Sequence, residues 1–372
     1  MKKILLFLLI LAVIFAIVLR VRYGGGAAYP DLTTTPVFGN DALEVVLEYP
    51  EPVGNVAVSA DGRVFFTVHP ESRPQGNKLL EFVNGAAVPF PDVALQDELF
   101  DTVLGVAIDR QNRLWTIDHG NHGIHSSRLL AFDLATNTLI HDQKFSADIA
   151  PGGSFLQDVQ VSADGRTVVI ADVSFWRKRP ALIVYDIASA SARRVLESHE
   201  SVLPDDFVIH NHGKPMTFAG NLVALRGGVD SIALGPEWLY YGALNGSHLY
   251  RVQLSDLRNS AIPNTQLGAR VERFASKPLS DGLSIDKEGN IYGTDVEHGA
   301  IFRIDQAGDM ETLLKTGRIR WPDALSFGPE GWMYIADSAL ADVILQSRDH
   351  IGSRGPYKIF RFQPGSEGTP GQ

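Results

Sequence analysis

Residues 281–295 read DGLSIDKEGNIYGTD: an alternating apolar run, a turn written DKEGN, and a second apolar run ending in Asp. Period-two alternation broken by a short Asp/Gly/Asn-rich turn is the sequence form of a β-hairpin. The phrase is written six times. The other copies are GNVAVSADGRVFFTV from Gly54, GVAIDRQNRLWTID from Gly105, DVQVSADGRTVVIAD from Asp158, DSIALGPEWLYYGA from Asp230 and DALSFGPEGWMYIAD from Asp323. A multi-stranded unit recurring every ~40–50 residues is a propeller blade, so six copies predict an all-β, six-bladed β-propeller around a central channel.

Third strands recur behind each hairpin: LLEFV at 79–83, RLLAFD at 128–133, ALIVYD at 181–186, HLYRV at 248–252, AIFRID at 300–305 and YKIFRF at 357–362. The last copy runs into a Gly/Pro-rich end and has no fourth strand of its own. The unassigned LEVVLEY at 43–49 is expected to complete it, closing the ring and removing an open sheet edge. The expected organisation is a signal peptide or signal anchor at 1–22, a linker at 23–41, the propeller at 42–366 and a flexible tail at 367–372. Two insertions interrupt the rhythm, at about 198–228 and 338–356, and long loops in compact domains often carry function.

The chain has 372 residues, with 33 basic against 43 acidic side chains and no Cys. Disulfides, thiolate catalysis and Cys-ligated zinc are thereby excluded. Setting aside Lys2, Lys3, Arg20 and Arg22 leaves 29 basic residues against 43 acidic, a net −14 that argues against a nucleic-acid partner. The apolar run Ile4–Leu19 follows Lys2 and Lys3 and precedes Arg20 and Arg22. It fits a signal h-region or an uncleaved anchor; the flanking arginines favour the anchor, while Gly24–Ala28 offers a cleavage region. Either form places the body outside the cytoplasm, in the periplasm or at the cell surface, with the membrane touched through this segment only. The body is expected to be a monomer.

Turns joining first to second strands are short and bland, so the functional face is expected at the opposite end, where inner strands begin. Asn55, Asp158, Asp230, Asp281 and Asp323 stand there, and ring symmetry aims them at one axis. Converging carboxylates repel unless a proton or cation sits between them. Oxygen ligands from several loops suit calcium, making Asp230 and Asp281 candidate ligands of one divalent cation; each Asp could instead cap its own loop or meet a ligand directly. Nine of the 11 histidines fall on the same face, densest in DHGNHGIH at 118–125 and HNHG at 210–213. Among them His119, His122 and His298 are candidate small-molecule contacts, and a pocket histidine could act as acid or base. No phosphate-binding glycine loop and no G-x-S-x-G nucleophile elbow occurs; no nucleotide or haem is expected.

DVQVSADGRTVVIADVSFWRKRPALIVYD at 158–186, SIALGPEWLYYGALNGSHLYRVQLSDLRN at 231–259, SDGLSID at 280–286 and WPDALS at 321–326 resemble the major royal jelly protein/yellow family. The resemblance runs from about Leu43 to Phe362 and implies a six-bladed propeller. Members of that family include secreted pigment-pathway and small-amine-binding proteins. A wider resemblance joins the senescence-marker/gluconolactonase group of lactone hydrolases. It implies a divalent metal held by a blade-one Glu, an Asn and an Asp. Here Asp230 stands at the Asn-like position and Asp281 at the Asp-like one, while Gly54 and Asn55 replace the Glu. The resemblances imply a small-molecule-binding propeller first. A calcium-dependent lactone hydrolase with Asp281 as ligand and base is the alternative. A dopachrome-type tautomerase using a histidine is the weaker one.

Overall fold

A computed structural model describes all 372 residues. Six four-stranded antiparallel sheets stand around one axis. Their inner strands are Val53–Val58, Val103–Ile108, Leu156–Val161, Val229–Leu234, Leu283–Ile285 and Pro322–Phe327, which we take as blades one to six. Every residue of Val53–Val58, Val103–Ile108, Val229–Leu234 and Pro322–Phe327 is buried. Both faces of an inner strand are covered by neighbouring blades, so burial extends along these strands even at their alternating small and polar residues.

Blade six consists of Pro322–Phe327, Met333–Asp337, Tyr357–Phe362 and, from the other end of the chain, Glu44–Tyr49. Glu44 pairs with Arg361 and Tyr49 with Tyr357, so the expected closure is present. The seams between blades hold the core. Trp115, Tyr185, Tyr241, Tyr292, Trp321 and Tyr357 are fully buried there, and Leu43 and Leu47 of the closing segment join the same packing.

Two expectations for the ends change, those for the linker and the tail, while the apolar run keeps its reading as a signal peptide or anchor segment. The apolar run is a helix, α1 (Lys2–Tyr23), with no buried residue. The expected linker is a strap along blade five: Val37 N–H donates to Thr312 O at 3.0 Å and Phe38 N–H to Leu313 O at 2.9 Å. Its Thr34, Val37 and Phe38 supply the hydrogen bonds that the outer strand Met310–Lys315 would otherwise leave open. The expected flexible tail is also packed. Gln372 Nε2 donates to Val161 O at 3.0 Å, and Gln372 O accepts from Ser284 Oγ and Phe327 N–H at 2.9 Å each. The tail thus ties the far ends of inner strands from blades three, five and six and closes the channel from the bland side. Small residues allow this: a Cβ at Gly368 or Gly371 would run into Phe327 or Ile108.

Candidate functional site

Inner strands begin on the face where the second-to-third-strand loops also emerge. In five of the six blades the first pair of the inner strand carries a β-bulge: Val53/Val56, Val103/Val106, Leu156/Val159, Val229/Ser231 and Pro322/Ala324. A bulge re-aims the extra residue, and the residues inside these bulges include Asn55, Asp158, Asp230 and Asp323. In blade five the equivalent turn is pinned from below. Thr294 Oγ1 accepts from Asp281 N–H at 3.1 Å and Gly282 N–H at 3.0 Å. Gly282 has no substitute there, since a Cβ would lie 2.6 Å from the Asp323 carbonyl.

Asp281 is the hub. Its Oδ1 accepts from Gln157 Nε2 at 2.8 Å and its Oδ2 from Trp321 Nε1 at 2.5 Å. Asp158 accepts from Val159 N–H at 2.8 Å and Ile232 N–H at 3.1 Å. Asp230 Oδ1 and Asp323 Oδ2 are buried without a hydrogen-bond partner, and His69 Nε2 lies 3.6 Å from Asp323 Oδ2. Burial pushes all four carboxyls up. Asp281 rises to about 6, opposed by the Trp321 and Gln157 donors. Asp158 rises to about 7, helped by the Asp281 charge. Asp230 and Asp323 rise well above the usual range through burial and then the Asp281 charge. Asp281, held by N–H donors, is the member that best carries a charge, and burial beside that charge favours protonated Asp230, which shares a side-chain hydrogen bond with it. Beneath them Lys277 is fully buried, its Nζ donating to Ala243 O at 3.0 Å and Pro278 O at 3.1 Å. Burial pulls its ammonium down to about 7.

Above this floor opens a cavity whose empty space, counting its open mouth, is about 800 Å³. Its walls are apolar. Phe155, Phe175 and Trp176 come from blade three, Phe218, Val223 and Leu225 from the first insertion, and Leu340, Ile344 and Leu345 from the second. Its polar groups are Asp230, Asp281, Gln157, His69, Glu71 and His122. Both long loops therefore serve as walls.

Of the candidates read from sequence, Asp230 and Asp281 form the floor. Asn55, Asp158 and Asp323 line a narrower polar shaft below, which shares Gln157 and Asp281 with the cavity. His122 is a wall residue, stacked on Phe155 at 4.8 Å with its Nε2 2.9 Å from Glu71 Oε1. Burial opposes ionisation of Glu71, but the His122 bond overrides it and holds the carboxyl below its ordinary value. His119 sits behind the wall. Its Nδ1 accepts from His122 N–H at 2.9 Å, and burial beside other imidazoles drives it well below its ordinary value. His298 is not at the cavity. It bonds Asp295 Oδ2 at 2.8 Å in a separate cleft with His210, His212 and Tyr29, because its loop leads outward from blade five. Sequence reasoning missed Glu71 and Gln157. Glu71 follows His69 in a loop with no repeat signal, whereas Gln157, beside Asp158 in the blade-three bulge, could have been found from the register.

The model of the family described as Major royal jelly protein matches residues 101–314. The chain belongs to the major royal jelly protein family. Among curated relatives, major royal jelly protein 1 of Apis mellifera is 24% identical over 55% of this chain and 49% of its own length. Major royal jelly protein 6 of Apis mellifera is 30% identical over 53% of this chain and 45% of its own. The chain spans about half the length of the curated relatives it matches. Among solved structures, a luciferin-regenerating enzyme overlays with TM-score 0.57 at 11% identity, over 88% of this chain and 97% of that one. A gluconolactonase from Xanthomonas campestris overlays with TM-score 0.54 at 15% identity, over 91% and 97%. These overlays establish the shared six-bladed propeller of this royal jelly family member.

Trp321 deserves a test of its own, since it both fills a blade seam and holds the Asp281 charge. Trp321→Phe removes a charge-assisted hydrogen bond, worth about 1.5–3 kcal/mol, and leaves a void. Urea unfolding is expected to show a loss of about 2–4 kcal/mol, and the Asp281 pKa should move further up. An unchanged midpoint would mean that Asp281 does not rely on the indole.

Proposed function

We propose that this royal jelly family propeller is an extracytoplasmic binding protein. Its ligand is a small molecule with an apolar body and an amine or other hydrogen-bond-donating head. One observation carries the reading: an apolar cavity ends on a buried carboxylate pair in which Asp230 Oδ1 has no partner. A buried unpartnered acceptor costs free energy, and a donor head seated there would recover it while the walls cover the body. The expected result is an upward melting shift with hexylamine or phenethylamine, but not with hexanoate. Linkage gives roughly 2.7 kcal/mol at about 100 times Kd. A shift from hexanoate alone would reverse the assigned polarity.

The competing reading is a divalent-metal lactone hydrolase, favoured by the ionised Asp281 at the cavity floor. The residues fit such a centre poorly. No group of three His, Asp or Glu side chains converges as ligands, and both Asp281 oxygens already accept from N–H donors. The melting temperature is therefore expected to be the same in EDTA and in millimolar calcium. A calcium-dependent rise that disappears in Asp281→Ala would overturn the metal-free reading and bring lactone hydrolysis forward. Tautomerisation would use His122, paired with Glu71 at the wall, and would be insensitive to EDTA.

A further inference from the structure

The C-terminal end of α1 is fastened to the cavity rim. Tyr23 Oη donates to Trp176 O at 2.9 Å, Arg22 Nη2 to Arg177 O at 3.2 Å, and Arg226 Nη2 to Gly24 O at 2.9 Å. The Tyr23 ring lies 5.9 Å from both Phe175 and Trp176, two wall residues of the cavity. Lys178 Nζ sits 4.2 Å over Phe175 and 5.1 Å over Tyr23. The rest of α1 touches little and runs free of the body. Its 22 residues have a mean hydropathy of 3.2 in the most apolar window, and at ~1.5 Å per residue they match a bilayer core of ~30 Å.

The same face presents large apolar side chains to solvent on separate loops. Trp176 is 48% exposed, Leu345 70% and Ile124 73%. Each lies in a second-to-third-strand loop, of blades three, six and two respectively, so fold geometry puts all three on the side where α1 attaches. Basic groups flank them. Arg22, Arg177 and Lys178 surround Trp176, while Arg73 bonds to the Gln346 carbonyl next to Leu345 and Arg348 donates to the Arg73 carbonyl. A tryptophan and aliphatic tips beside Lys and Arg make up the composition of a membrane-interface surface.

We infer that the cavity mouth rests on the anionic surface of the membrane that holds α1, and that the ligand reaches the cavity from the lipid phase as an amphiphile. The identity of its head rests on the proposed function above; the orientation of the mouth does not. Fastening α1 beside the mouth fixes which face of the body meets the bilayer. Trp176 and Leu345 then sit among lipid head groups, and the apolar walls continue the hydrocarbon phase down to Asp230.

Tryptophan quenching in the full chain tests this. The chain is placed in nanodiscs of phosphatidylcholine and phosphatidylglycerol, with or without bromine on the upper acyl chain. Trp115 and Trp321 are fully buried, and Trp238 begins one second strand while Trp332 directly precedes another, on the opposite face. Trp176 alone can meet bromine. The expected result is quenching that vanishes in Trp176→Phe and falls at least twofold in Leu345→Glu. Failure of the full chain to enter the discs, no quenching, or equal quenching in Trp176→Phe would each overturn the inference. Quenching of Trp176 without any amine-induced melting shift would support the membrane-facing mouth and overturn the amine head instead.

Discussion

Asp230→Asn is expected to give a protein more stable than its parent at pH 8 and unable to hold an amine. Burial, then the charges of Asp281 and Asp323, raise the Asp230 carboxyl well above its ordinary value. A carboxyl raised in the folded state binds its proton more tightly there than in the unfolded chain. Its contribution is therefore complete at acid pH and drains away as pH rises from the unfolded value near ~3.9 towards the folded one. Asparagine cannot ionise, and its Nδ2–H can donate to Asp281 as the protonated Asp230 does. The stability gap between variant and parent should thus widen from pH 5 to pH 8, by up to about 1.4 kcal/mol per pH unit. His69 and His119 titrate alike in both proteins and cancel in the difference, whereas Lys277, which feels the Asp230 charge, shifts with the substitution. An ammonium head seated beside Asp230 favours its ionised form and draws the proton off it; the amide cannot ionise in response, so amine-induced melting shifts should vanish in the same variant. Stability gained as function is lost is the usual mark of a strained site. Urea midpoints at the two pH values decide it: a gap that stays constant would mean Asp230 titrates alike in folded and unfolded chains.

Deleting residues 43–50 should have the largest effect on folding. The segment buries Leu43 and Leu47, each worth about 1.5–3 kcal/mol, and pairs from Glu44↔Arg361 to Tyr49↔Tyr357. Its ion pairs, Glu44 with Arg361 and Glu48 with Lys358, are exposed and add little. Without it, YKIFRF at 357–362 becomes an open, apolar edge that invites aggregation. The expectation is a loss of about 5 kcal/mol or more with visible aggregation on heating. A melting temperature equal to the parent's would show that the ring does not depend on closure by the N-terminal strand.

The ring was legible because the hairpin phrase repeats and each inner strand alternates. Even its closure followed from one missing strand and one spare one. The carboxylate register was legible too, since Asp230, Asp281 and Asp323 hold one position relative to the following turn. The cavity was not. Its walls come from the two insertions, where Phe218, Leu340 and Leu345 carry no periodic signal, and from Glu71 in a loop unlike its counterparts. His298 was misplaced for a related reason: position in a repeat fixes the face of the ring but not whether a loop leans inward or outward. The tail 367–372 misled through composition, because glycine there permits close packing against Phe327 and Ile108 rather than freedom.

The most direct test of the account is a calorimetric titration of hexylamine into the full chain near neutral pH, run in parallel on Asp230→Asn. One-site binding that the substitution abolishes is the predicted result. No heat of binding to the parent chain, or equal binding to the variant, would contradict the assignment of the cavity and its carboxylate floor as an amine site.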